Sequence, residues 1–230
     1  MTDRPMIFSG PMVRALLDGS KTQTRRVIRP YEAAPLIGRG DKSAGNIVVT
    51  RIPARHGGFM QGPSFKLHYA PGDRVWVREA HGISSDINRH DGYVRYTADN
   101  REWHTGPNTG DIPDGSLAAW FRVIDRSHDK DCGRISRPSI HMPRWASRIT
   151  LHITDVRVQR LQDISEADAV AEGAPVAELR MYPALGNARH WFCDLWNSLH
   201  GADAWATNPW VCALTFTVQR RNIDSKGESQ

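Results

Sequence analysis

Between Ser147 and Val218 the chain changes its period several times, and these changes narrow the possible folds sharply. Ile149, Leu151 and Ile153 alternate with polar residues, the two-residue repeat of a half-buried strand. The phase then shifts to Val156 and Val158, which predicts a bulge near Asp155. Ser165 to Gly173 reads as a short helix, with Ser165 as N-cap, Glu166 and Asp168 in the first turn and Gly173 as terminator. Glu172 falls in its last turn, where the helix dipole disfavours a carboxylate. From about Ala188 to Leu199, residues Trp191, Phe192, Leu195, Trp196 and Leu199 recur at helical spacing and form a core stripe. Cys212, Leu214, Phe216 and Val218 then alternate as a closing strand. There is no repeated βαβ unit and no glycine-rich phosphate loop, which argues against a Rossmann fold. The pattern instead predicts an α+β chain, a small mixed or antiparallel β-barrel flanked by helices.

The N-terminal part fits the same plan. Gly10-Pro11 opens a helix whose Met12, Val13, Leu16 and Leu17 lie on one stripe, and Asp18-Gly19 ends it. Residues 22–28 alternate as a strand, with Thr22, Thr24, Arg26 and Ile28 on one face and Gln23, Arg25 and Val27 on the other. A second strand, Arg74 to Glu79, follows the Pro71-Gly72-Asp73 turn, with Glu79 where the strand leaves the core; a third piece is Tyr93 to Tyr96. The stretches at about 31–72 and 99–143 read as long loop insertions, rich in Gly and Pro or in polar residues, with one short β-like piece at Ile47-Val48-Val49. A single domain over 1–220 with those insertions, and a flexible polar tail over 221–230, is the expected organisation.

Composition excludes whole classes. A chain of 230 residues with 40% hydrophobic and 24% charged residues is that of an ordinary soluble protein, not a disordered one. It holds no 18-residue apolar run and no N-terminal basic segment leading into one, so neither a membrane span nor a secretory leader is expected. Cys132, Cys193 and Cys212 are too few and too scattered for a disulfide framework, which suits a reducing cytoplasm. His128 and Cys132 are spaced like half a zinc site, but no second pair exists, so no metal and no cofactor is expected. The net charge of +5 and the excess of Arg over Lys suit a nucleotide-like or polyanionic partner.

The run Gly19-Ser20-Lys21-Thr22-Gln23-Thr24-Arg25-Arg26 gathers an amine, hydroxyls and two guanidiniums in one corner. A threonine hydroxyl is a weak nucleophile unless a neighbour takes its proton. A lysine amine does so only where burial and nearby cations lower its proton affinity. The structural alternative is a solvated helix exit capped by Gly19, with Lys and Arg answering the helix dipole. Glu172 has its own alternative as an exposed helix end, and Glu79 as a strand-end salt bridge to Arg74 or Arg78.

Gly19-x-Lys21-Thr22-x-Thr24-x-Arg26, with Val75-Trp76-Val77-Arg78-Glu79 and Ile164-Ser165-Glu166 to Glu172-Gly173, resembles the ASCH family of PUA-like barrel proteins. The family signature, G-x-K-x-x-E-x-R, has an acidic residue where this chain has Thr24. That departure is similar to the small bacterial amidohydrolases that remove the acyl group of N4-acetylcytidine with a Lys, a Thr and a Glu. By motif, the resemblance implies Lys21, Thr24 and Glu172 as the catalytic set, Arg26 in the motif's arginine position, and Glu79 as a supporting or base-recognising carboxylate. Trp76 is the candidate aromatic for stacking on a base, with packing in the core as its alternative and more usual role. The partner implied is a small modified nucleoside or base. Two other readings stay open, an RNA-binding PUA-like module and an ASCH-type ribonuclease, both with RNA as partner. One geometric difficulty is visible: in a regular strand Lys21 and Thr24 point to opposite faces, unless Lys21 still belongs to the helix exit.

Overall fold

The structure, a computed structural model, describes residues 2–28, 47–53, 58–86, 91–105, 135–181 and 187–225. The His128 and Cys132 pair, most of the expected insertions and the end of the tail lie outside the described residues. In chain order the elements are strand β1 (Asp3–Ile7), helix α1 (Gly10–Asp18), and strands β2 (Gln23–Val27), β3 (Ile47–Pro53), β4 (Phe59–Lys66), β5 (Arg74–Arg78), β6 (His81–Asp86), β7 (Asp91–Tyr96), β8 (Glu102–Thr105), β9 (Ile135–Arg137) and β10 (Thr150–Arg160). Helices α2 (Glu166–Ala171), α3 (Val176–Met181) and α4 (Ala188–His200) and strand β11 (Trp210–Gln219) follow.

The chain is mixed α+β, as its periodicities predict. Its largest sheet has five strands in the order β1-β5-β10-β11-β2 and is mostly antiparallel. The expected barrel closure is not formed: β1 and β2 are the two ends of the order, and no ladder joins them among the described residues. The insertions also hold more strand than their composition suggests. β3 and β4 pair as an antiparallel hairpin, with a register shift between Val49 and Arg51. β8, β7, β6 and β9 make a second, four-stranded antiparallel sheet. The run His81-Gly82-Ile83-Ser84-Ser85-Asp86 carries little apolar alternation, and its strand is defined by pairing with β7 and β9.

The chain divides into two compact units. One comprises Met1–Asp18, Arg74–Leu151 and Val218–Gln230; the other comprises Gly19–Asp73 and His152–Thr217. In the first, α1 buries Val13 and Leu16 while Met12 and Leu17 are half-buried, the stripe its sequence predicts. β1 pairs parallel with β5 from Asp3 opposite Arg74 to Ile7 opposite Arg78. Asp3 accepts two hydrogen bonds from the Arg74 guanidinium, at 2.7 and 2.8 Å, and one from Arg144 at 2.6 Å. Arg144 also binds both oxygens of Asp224, so ion pairs tie all three segments of this unit together.

In the second unit, β2 pairs antiparallel with β11, Val27 opposite Val211 and Gln23 opposite Thr215. Ser165 caps α2 as predicted, its hydroxyl accepting the Asp168 N–H at 3.1 Å. Asn187 caps α4 by accepting the His190 N–H at 2.9 Å. Glu166 adds its carboxylate to that helix start, accepting from the N–H groups of Ala188 at 2.6 Å and Arg189 at 3.1 Å. Phe192 and Trp196 on α4 pack with Leu161, Ile164, Ala169, Ala174 and Val211. Fully burying each large apolar side chain contributes about 1.5–3 kcal/mol. Leu199, expected on the same stripe, is exposed in the last turn before Gly201.

Candidate functional site

The corner at residues 19–26 is built by a turn and two clips. Gly19, at φ +84°, ends α1 with a backbone conformation that other residues adopt only under strain. The chain then runs antiparallel past the end of α2: Lys21 forms a single β-bridge with Glu172, and the Thr22 N–H donates to the Ala171 carbonyl at 2.8 Å. On its other side, Thr22 accepts the Phe216 N–H at 3.0 Å. Lys21 therefore stands outside both α1 and β2, held against the last turn of α2.

This brings together residues 151 positions apart. Lys21 Nζ donates to Glu172 Oε2 at 2.6 Å and to the Glu172 carbonyl at 2.8 Å, with the Lys21 side chain wholly buried and that of Glu172 3% exposed. Glu172 is thus the buried C-cap of α2, not an exposed helix end. Its second oxygen, Oε1, accepts Arg25 Nη1 at 2.9 Å. Arg25 Nη2 forms an ion pair with Asp168 Oδ2 at 3.1 Å, and the guanidinium sits 5.6 Å from the centre of the Phe192 ring. Arg25 Nε is buried with no hydrogen-bond partner. Asp168 Oδ1 accepts from Gln23 Nε2 at 3.0 Å and from Arg157 Nη2 at 2.9 Å. Three cations, Lys21, Arg25 and Arg157, thus converge on two carboxylates within the second unit.

Burial pushes the Lys21 ammonium below its ordinary pKa; the Glu172 carboxylate opposes this, and the charges of Arg26 and Arg25 add to it. Arg26 is half-buried, and burial lowers its pKa against the pull of Tyr69 and Glu172. Thr24 is buried on β2 opposite Leu214. The hydrogen bonds of Lys21 Nζ run to Glu172, and the Thr24 hydroxyl is not among their acceptors. Alternation explains this arrangement, because Gln23 and Arg25 take the face of β2 that reaches α2 and leave Thr24 and Arg26 on the other.

Glu79 and Trp76 belong to the first unit. The salt bridge foreseen for Glu79 exists, but its partner is Arg148 instead of Arg74 or Arg78. Arg148 Nε and Nη2 reach the two Glu79 oxygens at 2.9 Å each, and the same guanidinium binds Asp99 at 2.8 and 3.0 Å. Arg148 lies 3.9 Å over the Tyr96 ring, whose hydroxyl donates to the Ala146 carbonyl. Burial raises the Glu79 carboxyl above its ordinary pKa, and Arg148 opposes the shift. Trp76 is buried, with the Arg78 guanidinium 4.7 Å over its ring.

Arg157, Arg148 and Asp99 were not foreseen, since nothing local marks a side chain that crosses between elements. Asp168 carried a usable signal: it lies four residues before Glu172, so the two carboxylates share a helix face. No protein-family model, no curated protein and no solved structure matches the chain. Among the described residues, no helix is long and apolar enough to cross a membrane.

Proposed function

We propose that the chain is an amidohydrolase of the ASCH, PUA-like kind, removing the acyl group from N4-acylated cytosine or cytidine with Lys21, Thr24 and Glu172. The observation that carries this reading is the complete burial of Lys21 beside Arg25 and Arg26, because burial and nearby cations make a lysine a poor ammonium ion and a better base, against the opposing pull of Glu172. In the reaction proposed, Lys21, which precedes the regular pleat of β2, turns from Glu172 to take the proton of the Thr24 hydroxyl as the Thr24 oxygen bonds to the acyl carbonyl carbon. The bond from that carbon to N4 then breaks, N4 takes the proton, and cytidine leaves. Water hydrolyses the resulting ester, releasing the carboxylic acid and restoring Thr24. Glu172 orients the lysine by accepting from it at the main-chain carbonyl and at Oε2. The guanidinium of Arg26 is suited to the negative charge that develops on the carbonyl oxygen.

The test is release of cytidine from N4-acetylcytidine, followed for the wild type and for Lys21→Met, Thr24→Ala and Glu172→Gln. Each substitution is expected to lower kcat/KM by at least about 10²-fold, the usual scale for a general base or nucleophile. A wild type that releases no cytidine, or a Thr24→Ala variant with full activity, would overturn the reading. A parallel gel shift with single-stranded RNA measures the binding-module alternative.

A further inference from the structure

We propose that Arg25 is a positioning residue: by holding the second oxygen of Glu172, it leaves Lys21 free to exist as the neutral amine. The inference rests on the reading of Lys21 as the proton acceptor. The charged groups facing Lys21 are Glu172 at the end of α2 and Arg25 and Arg26 on β2, with Asp168 and Arg157 behind Arg25. Arginine stays protonated throughout the accessible range, so Lys21 is the member of this cluster able to give up its proton.

The arrangement of oxygens gives this its force. If Glu172 served Lys21 alone, loss of the lysine proton would strand a buried carboxylate, and the pair would stay locked as ammonium and carboxylate. Here Oε1 is held by Arg25 at 2.9 Å whatever the state of Lys21. A neutral Lys21 keeps N–H groups to donate to the Glu172 carbonyl, 2.8 Å away, and no charge is left bare. Asp168 sets the strength of the effect, because it draws part of Arg25 toward itself.

Substitutions at the two ends of this chain of contacts therefore shift Lys21 in opposite directions. In Arg25→Gln the carboxylate turns wholly to Lys21, and the midpoint of its titration is expected to rise by about one pH unit or more. In Asp168→Asn one negative charge is lost and Arg25 leans on Glu172, so the midpoint is expected to fall. Damage to packing alone does not move the two variants oppositely. The direct measurement is the ¹³Cε shift of Lys21 against pH in labelled protein without substrate, assigned by the signal missing from Lys21→Met; with five lysines in the chain the spectrum is simple. The acid limb of the kcat/KM profile on N4-acetylcytidine should move with it, while the plateau kcat of Arg25→Gln changes less.

An unmoved or lowered midpoint in folded Arg25→Gln overturns the proposal. If that variant does not fold, Asp168→Asn decides, and an unmoved or raised midpoint overturns it. Opposite shifts in the two variants, beside a wild type that releases no cytidine, uphold the charge sharing and refute the reaction. Activity in the wild type with an unmoved midpoint upholds the reaction and refutes the role of Arg25.

Discussion

A buried carboxylate that serves two cations is a point where one substitution has two consequences. Removing Glu172 would leave Lys21 and Arg25 without their closest anion in a region where both side chains are fully covered. Breaking a buried pair by deleting one partner typically costs about 3–5 kcal/mol, mostly from the charge left behind. Glu172→Ala is accordingly expected to lose about that much stability in urea unfolding at pH 7, and Glu172→Gln, which keeps hydrogen-bonding capacity, clearly less. Equal and small losses for the two would show that the cluster is hydrated in solution. The Glu79, Arg148 and Asp99 network is a comparable group in the first unit, with the Tyr96 ring beneath the guanidinium.

Helix α2 shows how a short element is held by its ends. Six residues cannot sustain a helix in water, since nucleation is costly and each end leaves backbone groups unpaired. Ser165 satisfies one end, and the other is fixed by Gly173 at φ +101° and by the bridge from Glu172 to Lys21. Ser165→Ala is expected to cost about 1 kcal/mol, the usual value of an N-cap. Because α2 presents Glu172, the same variant is also expected to weaken the Lys21 contact, read as faster hydrogen exchange at the Thr22 amide, which donates to Ala171. Unchanged exchange at Thr22 in a destabilised Ser165→Ala would uncouple the helix from the site.

Over the whole chain, acid is expected to be the weak side. Burial raises the carboxyls of Asp3, Asp99 and Asp168, but guanidiniums outweigh it: Arg74 and Arg144 for the first, Arg148 and Arg101 for the second, Arg157 and Arg25, with Gln23, for the third. Asp224 is held low chiefly by Arg144. All four are more acidic in the folded than in the unfolded chain. Their stabilisation is therefore complete above the unfolded aspartate value of about 3.9 and is lost as pH falls through the lower folded values. Glu79 has the opposite sign, since its raised pKa makes ionisation cost stability as pH rises past about 4.3. The melting temperature is expected to fall steeply below pH 4, less so in Asp3→Asn; a flat profile from pH 2 to 5 would contradict this assignment. The strand and helix periods, the Ser165 cap, the stripes of α1 and α4 and the gathering of amine, hydroxyl and guanidinium groups at residues 19–26 were legible in the sequence, because each depends on neighbours within a few residues. The open sheet, the β3–β4 hairpin, the four-stranded sheet and the partners of Glu79 were not, because pairing and charge matching join residues far apart in the chain. Thr24 is marked by sequence alone, through its place in a motif. The contact of Lys21 with Glu172, and the grip of Arg25 on the same carboxylate, exist only once β2 and the end of α2 are folded side by side, where exclusion of water makes each nearby charge count.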